Sequence, residues 1–169
     1  MKTILACTAA IALAATAALA QDAATATATF ISKAGKESGT AKLTGTEKGV
    51  LIEIEVSGLP AGQWVAFHVH ETGSCDHAGG HMSAGGHFNP AKAAHGFNDP
   101  KGPHAGDMPN QFVSADGKLK AQVFNSFVQL DKGDTAIRGK ALMIHGKSDD
   151  YKSQPTGDAG DRQACGVIK

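Results

Sequence analysis

The stretch Val50-Leu51-Ile52-Glu53-Ile54-Glu55-Val56 alternates apolar and acidic side chains from Ile52 to Val56 and is the clearest indication of a β fold. Successive side chains of a β-strand point to opposite faces, so this period of two predicts a strand. We expect Ile52, Ile54 and Val56 on one side of it and both glutamates on the other. Gly58-Leu59-Pro60 then ends the strand.

Seven further strands are predicted outward from this stretch, and no segment carries a helical pattern. Short strands separated by many turns are typical of an antiparallel sandwich or barrel, so the fold class is all-β. The other candidates are a frayed first strand that leads into Phe30 and Ile31, and residues 36–46, 64–70, 111–114, 118–124, 137–145 and 164–168.

Length and composition agree with a single turn-rich β domain. The chain has 169 residues, 21 of them glycine, and an aromatic content of only 5%. Lys and Arg together number 16, as do Asp and Glu. This balance predicts neither a nucleic-acid partner nor an acidic membrane partner.

Residues 1–20 differ from the rest of the chain and have the pattern of a secretory signal peptide. Lys2 precedes an apolar run over 4–18, and Ala18-Leu19-Ala20 fits the small-x-small cleavage pattern. A membrane anchor is the alternative, but the run is shorter than the roughly 20 residues that a spanning helix needs. We therefore expect cleavage after Ala20, a domain over 21–169, no membrane association of the mature form, and a location outside the cytoplasm.

Removal of residues 1–20 leaves two cysteines, Cys75 and Cys165. Disulfides persist in the oxidising compartment to which such a chain is exported, so we expect these two to pair. The bridge would close a loop of about 90 residues and contribute about 4 kcal/mol in the chain-entropy model. The alternative is a pair of free buried thiols.

Histidines are concentrated in and before a long irregular segment, residues 71–110. Seven of the eight lie between 68 and 104, and the eighth is His145. His68 and His70 are two residues apart on a predicted strand, so both point to one face. A segment of this length without periodicity in a compact domain is functional or disordered, and the histidine density favours a metal-binding function.

The ligand types allow some discrimination between metals. Neutral imidazoles suit both zinc and copper, and a carboxylate among them favours a tetrahedral zinc site. The set therefore divides into a histidine-only site for copper and a site for zinc that includes Asp107. Spacing alone leaves open which histidine belongs to which site.

Six blocks of the chain resemble the signature blocks of the copper–zinc superoxide dismutase family, in order and in spacing, over about residues 28–168. The signal peptide and the short segment before Cys75 resemble the bacterial, periplasmic branch of the family. The blocks are Phe67-His68-Val69-His70-Glu71, Gly85-Gly86-His87-Phe88-Asn89-Pro90, His95-Gly96, His104-Ala105-Gly106-Asp107-Met108-Pro109-Asn110, Ala141-Leu142-Met143-Ile144-His145 and Arg162-Gln163-Ala164-Cys165-Gly166-Val167-Ile168.

The resemblance implies an eight-stranded antiparallel Greek-key β-barrel, of the immunoglobulin-like sandwich type, with two long functional loops. It also implies one copper and one zinc per subunit, with the His87 ring bridging the two metals. By match to the family, the copper ligands are His68, His70, His87 and His145, and the zinc ligands are His87, His95, His104 and Asp107.

Four further residues have roles implied by the same resemblance. Asp149 would hydrogen-bond His68 and His95 and fix the orientation of both rings. Cys75 and Cys165 match the family disulfide, and Arg162 would attract and orient superoxide near the copper.

The activity implied is dismutation of superoxide to oxygen and hydrogen peroxide, with copper cycling between Cu(II) and Cu(I), in protection of the periplasm. His87 would take up a proton and deliver it to peroxide. A non-enzymatic metal carrier on the same barrel and a purely structural sandwich are the rival hypotheses. A carrier needs no Arg162, and a structural sandwich leaves the histidines unexplained. The oligomer is expected to be a homodimer or a monomer.

Two histidines, His77 and His81, lie outside the family pattern. We expect them to be solvated loop residues. The alternative is an auxiliary copper-capture site that they would form with Met82.

Overall fold

The computed structural model describes residues 23–169, and residues 1–20, the predicted signal peptide, lie outside that range. Within it, the chain forms nine strands and a single-turn 3-10 helix at Met82–Ala84, with no α-helix and no helix able to cross a membrane. The strands are β1 (Thr25–Ser32), β2 (Glu37–Thr46), β3 (Gly49–Val56), β4 (Trp64–Val65), β5 (Phe67–His70), β6 (Gln111–Phe112), β7 (Leu119–Asn125), β8 (Ala141–His145) and β9 (Arg162–Val167).

The strands curl into a barrel in which every paired neighbour is antiparallel. Seven form one sheet in the order β5-β8-β9-β1-β2-β3-β7, and β4 pairs with β6. Only Ala66 separates β4 from β5, and the Ser114 N–H donates to the Lys118 carbonyl at 2.8 Å in the turn from β6 to β7. The small sheet therefore joins the two ends of the large one, and the predicted all-β Greek-key barrel is confirmed.

The fourth predicted strand, over 64–70, is divided into β4 and β5. Ala66, the residue between them, donates its N–H to the Lys147 carbonyl at 2.8 Å and accepts from the His145 N–H at 3.0 Å. The chain changes partner at this point, since β4 pairs with β6 and β5 pairs with β8. The eight predicted strands thus become nine elements.

One side of the barrel, formed by β2, β3 and β7, has one buried and one outward face. Along β3, Ile52 and Ile54 are 0% and 3% exposed, whereas Glu55 is exposed. Leu43, the cross-strand neighbour of Ile52, and Leu119, the cross-strand neighbour of Val56, are also buried in the central core. The alternation predicted from the sequence is confirmed here, and we call this side the open wall.

The opposite side, formed by β5 and β8, is buried on both faces, because every residue of both strands is buried. Phe67 and Val69 point into the central core. His68 and His70 alternate with them, and so lie on the outer face. Two long loops, over 71–110 and 146–161, cover that face, and we call this side the covered wall.

The first long loop is fixed to β5 by main-chain hydrogen bonds and to β9 by a disulfide. The Val69 N–H donates to the Gly106 carbonyl at 2.9 Å, and the Phe88 N–H donates to the Val69 carbonyl at 2.8 Å. A disulfide joins Cys75 in the loop to Cys165 on β9, with Cα atoms 5.5 Å apart. The predicted disulfide is therefore present, and the loop residues 87–88 and 106–107 lie beside β5.

Candidate metal centre

Four of the predicted metal-site histidines form a buried cluster on the outer face of the covered wall. His68 and His70 lie on β5, His145 ends β8, and His87 comes from the loop. The His68 and His87 rings have centroids 3.9 Å apart, and those of His70 and His145 are 5.5 Å apart. One ring nitrogen from each of the four lies within 4.8 Å of the others.

Main-chain and carboxylate acceptors orient three of these rings. His70 Nδ1 lies 3.0 Å from the Gly85 carbonyl, and His145 Nδ1 lies 3.3 Å from the Gly160 carbonyl. His68 Nε2 lies 2.8 Å from Asp149 Oδ2. In each case the other ring nitrogen is left to face the cluster.

Within the described part of the chain, four buried ring nitrogens of this cluster have no hydrogen-bond partner: His68 Nδ1, His70 Nε2, His87 Nε2 and His145 Nε2. A buried polar atom without a partner costs about 1–3 kcal/mol, so four that converge on one point need a common ligand. An imidazole-only set fits copper. The donor atoms present therefore fit the predicted copper site.

A second cluster shares the His87 ring with the first. His87 Nδ1 lies 2.9 Å from Asp107 Oδ1, and His104 Nδ1 lies 3.5 Å from His87 Nδ1. His95 Nδ1 lies 3.1 Å from the same Asp107 oxygen. The four predicted zinc residues are thus brought together, and all four are buried.

These distances fit a tetrahedral zinc ion. Zinc–nitrogen bonds of about 2.0–2.1 Å place neighbouring ligand atoms about 3.3–3.4 Å apart at the corners of a tetrahedron. The measured separations of 2.9–3.5 Å lie around that value. The bridging arrangement predicted for His87 is therefore available, since each of its nitrogens faces one cluster.

Asp149 connects the two clusters, as predicted. Its Oδ2 accepts from His68 and its Oδ1 lies 3.0 Å from His95 Nε2. Two residues that the sequence analysis missed hold Asp149 in place. Asn110 exchanges two 2.8 Å hydrogen bonds with its main chain, and the Tyr151 N–H donates to Oδ1 at 2.6 Å.

The sequence carried only a weak signal for these two residues. Asn110 ends a block that resembles the family, but nothing in its spacing shows what its amide contacts. Tyr151 has φ +61°, a left-handed conformation uncommon for a tyrosine, and its hydroxyl accepts from the Asn110 N–H at 2.7 Å. The contacts of Asn110 and Tyr151 with Asp149 can be seen only in the folded loops.

The two clusters differ in their affinity for protons. Burial, followed by the neighbouring histidines, lowers the pKa of His70 and His145 well below the ordinary histidine value. Burial and the adjacent His68 lower the pKa of His87 to about 4. These rings are therefore held neutral, the form in which imidazole binds metal.

The second cluster, which contains Asp107 and which we call the acidic cluster, includes a histidine that binds a proton more strongly than usual. Burial alone would lower the pKa of His95, but hydrogen bonds with Asp107 and Asp149 raise it to about 9. Burial works against the ionised form of Asp107, yet hydrogen bonds from His104, His87 and His95 hold its pKa far below the usual range. A site that draws a proton so strongly also favours a divalent cation.

Arg162, the predicted steering residue, is partly buried beside the four-histidine cluster. Its Nη1 and Nη2 each donate at 2.7 Å, to the carbonyls of His81 and Gly85 respectively. Gly85 is also the acceptor for His70. One carbonyl therefore connects the guanidinium to a ring of the cluster, and the charge of Arg162 contributes to the lowered pKa of His70.

The expectation for the two remaining histidines is half right. His77 is exposed, as predicted, but His81 is 0% exposed, so its description as a solvated loop residue is wrong. The loop turns inward at His81, where the backbone has φ +59°. Over residues 23–169, no group of three or more close His, Cys, Asp or Glu ligand atoms includes either histidine, and Met82 is 66% exposed.

The family model for copper/zinc superoxide dismutase matches residues 37–168. The chain belongs to the copper/zinc superoxide dismutase family. It is an oxidoreductase that uses copper and zinc as cofactors, which agrees with the two clusters of donor atoms described above. The predictions of family, fold, enzyme class and cofactors are therefore confirmed.

Individual copper/zinc superoxide dismutases and related structures show how far the likeness extends. The chain is 49% identical over 146 residues to superoxide dismutase [Cu-Zn] 1 of Aquifex aeolicus, covering 84% of this chain and 86% of that protein. The enzyme of Caulobacter vibrioides is 40% identical over 150 residues, covering 84% and 85%.

Two solved structures share the barrel. The Cu/Zn superoxide dismutase from Brucella abortus superposes with a TM-score of 0.72 at 28% identity, covering 86% of this chain and all of that one. A superoxide-dismutase-like protein from Bacillus subtilis superposes with a TM-score of 0.78 at 36% identity, covering 85% and 97%.

Proposed function

We propose that superoxide is dismutated at the four-histidine cluster, with copper held by His68, His70, His87 and His145 and zinc by His87, His95, His104 and Asp107. The single observation that supports this assignment is the convergence of four buried ring nitrogens that lack any other partner in the described chain. Copper bound there would supply one-electron chemistry: the oxidation of one superoxide to oxygen, and the reduction of a second superoxide, with two protons, to hydrogen peroxide.

His87 is proposed to move one of these protons. Its Nδ1 faces the acidic cluster, while its Nε2 faces the four-histidine cluster and has no partner in the described residues. The ring is buried and its pKa is lowered, so it carries a single proton near neutral pH. With Nδ1 committed to the zinc site, that proton would lie on Nε2, which could pass it to peroxide and take up another from solvent between turnovers.

Arg162 is proposed to bring the substrate to the site. The chain has a formal net charge of zero, so it has no global field to attract a small anion. The guanidinium keeps its charge at all working pH values and uses only two of its five N–H groups on carbonyls. The remaining donors can hold superoxide beside the four-histidine cluster.

Replacing Arg162 with alanine tests this role directly. We expect Arg162→Ala to lower the second-order rate constant about tenfold at low salt. This is the lower end of the roughly 10- to 1000-fold rate enhancement that electrostatic focusing gives, an effect for which superoxide dismutase is itself a known example. The decline of rate with ionic strength should flatten, because screening acts on the charge that is removed. Pulse radiolysis from low to high salt measures both quantities.

Arg138→Ala is the matched control, because it removes the same charge elsewhere. Arg138 pairs with Asp131 and donates to the Thr25 carbonyl at 2.8 Å. It should leave both the rate and the salt slope unchanged. An Arg162→Ala protein with full copper and the parent's rate and slope would limit Arg162 to its two carbonyl contacts.

We further propose that the chain is exported and acts in the periplasm after cleavage following Ala20, leaving residues 21–169 as the enzyme. The apolar pattern of residues 4–18 supports this, as does the Cys75–Cys165 disulfide, which persists in oxidising compartments. Cell fractionation with N-terminal sequencing should find a periplasmic protein that begins at Gln21. A cytoplasmic protein that retains Met1 would contradict export.

A further inference from the structure

His81 occupies an unusual turn in the disulfide-anchored part of the first long loop. Its N–H donates to the Asp76 carbonyl at 2.7 Å, and its own carbonyl accepts from the Ala84 N–H at 3.2 Å. The left-handed backbone, with φ +59°, aims that carbonyl at Arg162. The position of the guanidinium therefore depends on the conformation at residue 81.

The His81 side chain is enclosed without a well-formed hydrogen bond to its ring. The residue is 0% exposed, and neither ring nitrogen finds a hydrogen-bond partner among residues 23–169. The charged or titratable groups that act on the ring are His77 and Asp76 from the same loop and Arg162 from β9, while β1 contributes the main chain of Ser32. The ring is thus packed uncharged beside a permanent cation.

We propose that His81 is a positioning residue for Arg162, and that protonation of its ring releases the guanidinium from the His81 carbonyl. This inference rests on the role proposed above for Arg162. The proposed role requires no contact of His81 with substrate or metal. It acts through the carbonyl that it presents.

A positive charge on the His81 ring is unfavourable because the ring is enclosed. Burial, and then the positive potential of His77 and Arg162, lower the pKa of His81, and Asp76 and the Ser32 main chain offset this only in part. A second positive charge beside Arg162 is repelled in a poorly hydrated site. The turn at His81 then opens, because the ring can be solvated only by leaving the pocket.

The direction of the pH dependence follows from the lowered pKa. The ring is neutral in both the folded and the unfolded protein well above the reference value of about 6.5. Below that value the unfolded chain takes up the proton first, so the stability of the closed turn falls as the pH falls toward the folded pKa. The hydrogen bond from Arg162 to the His81 carbonyl is therefore intact at neutral pH and is lost on acidification.

Nuclear magnetic resonance on the copper- and zinc-loaded enzyme in its reduced, diamagnetic state tests the proposal without relying on turnover. We expect the His81 ring nitrogens to titrate with a midpoint below 6.5, and the Arg162 side-chain signals to shift with the same midpoint. A His81 midpoint at or above 6.5, or Arg162 signals that do not follow it, would overturn the proposal.

A pair of variants tests the same coupling in kinetics. His81→Asn removes the titration and keeps a side chain that tolerates the left-handed backbone, and His77→Asn removes the exposed neighbour as the matched control. The parent's rate constant and salt slope should decline together on acidification at constant metal content. The His81 variant should lose this acid limb and the His77 variant should keep it; an unchanged limb in both variants would refute the inference.

These outcomes separate the inference from the proposed function. If Arg162→Ala leaves the rate unchanged, steering by Arg162 fails. Shared titration of the His81 and Arg162 signals would still establish the coupling between them. If steering by Arg162 is confirmed but the two sets of signals titrate independently, only the proposed coupling of His81 to Arg162 is wrong.

Discussion

The open wall and the covered wall of the barrel are built from the same kind of strand but are stabilised in different ways. On the open wall, β3 has Ile52 and Ile54 inward and Glu55 in solvent. On the covered wall, β5 has Phe67 and Val69 inward, and the histidines on its other face are buried under the loops. The open wall lies between the apolar core and water, and the covered wall lies between the apolar core and the candidate metal centre.

The difference shows what can substitute for apolar burial. The outer face of the covered wall is packed with imidazoles and carboxylates, whose burial is unfavourable unless their polar atoms are satisfied. Asp149 and the carbonyls of Gly85 and Gly160 satisfy one nitrogen of each of three rings. The proposed metal ions would satisfy the others, and the disulfide joins the loop to β9.

Removal of both metals should give the largest effect and should act on one wall. With each free metal a thousandfold above its dissociation constant, each of the two sites contributes about 4 kcal/mol to the folded state, and chelation removes both contributions. Hydrogen exchange should accelerate over 71–110 and 146–161, while the amides of β2, β3 and β7 keep their protection. Equal acceleration on both walls would show that they are not separate in stability.

Ile52→Ala should give the next largest effect, on the open wall. Ile52 is fully buried and paired in the ladder between Leu43 and Val123, so truncation should cost about 2–5 kcal/mol. Because the cavity lies in the apolar core, we expect the same loss with and without metals and an unchanged rate per copper. Denaturant unfolding of both forms measures it. Losses that differ by more than about 0.5 kcal/mol would show that the walls are coupled.

Asp149→Asn should have a smaller effect, restricted to the covered wall. An amide has a single acceptor oxygen, so it cannot serve His68 and His95 as the carboxylate does. We expect zinc affinity to fall about 10- to 100-fold, measured by competition with a chelator.

Asp150→Asn is the matched control for this change, because Asp150 is exposed and accepts hydrogen bonds only from its own turn, including the Ser153 N–H at 2.8 Å. Its zinc affinity should equal the parent's. Equal affinity in the Asp149 variant as well would mean that the carboxylate does not orient the rings.

The pair formed by Lys120 and Glu55, on the outer face of the open wall, should have the smallest effect. Their charged atoms are 3.0 Å apart, but the side chains are 80% and 63% exposed. Solvent screens such pairs, so a double-mutant cycle with Lys120→Ala and Glu55→Ala should give a coupling below about 1 kcal/mol. A larger value would mean that the outer face of this wall contributes more than its exposure indicates.

The open wall, the ligand types of the candidate metal sites and the disulfide can be predicted from the amino-acid sequence without the folded structure. The alternation around Ile52 is a local property, since a period of two specifies a half-buried strand whatever it packs against. The spacing of His68 and His70 likewise fixed them on one face, because side-chain direction along a strand repeats every second residue. After the predicted cleavage only Cys75 and Cys165 are left, so an intramolecular disulfide can form only between these two.

Three features become visible only in the folded molecule: which ring nitrogen faces which cluster, what holds Asp149 in place, and the burial of His81. Asn110 and Tyr151 reach Asp149, and the Gly85 carbonyl reaches both His70 and Arg162, only after the two loops fold onto the covered wall. Main-chain carbonyls occur at every residue, so the sequence cannot show which of them act as acceptors. The local pattern around His81 is that of a polar loop, and its burial depends on contacts with β1 and β9, which are distant in sequence and fixed by the disulfide.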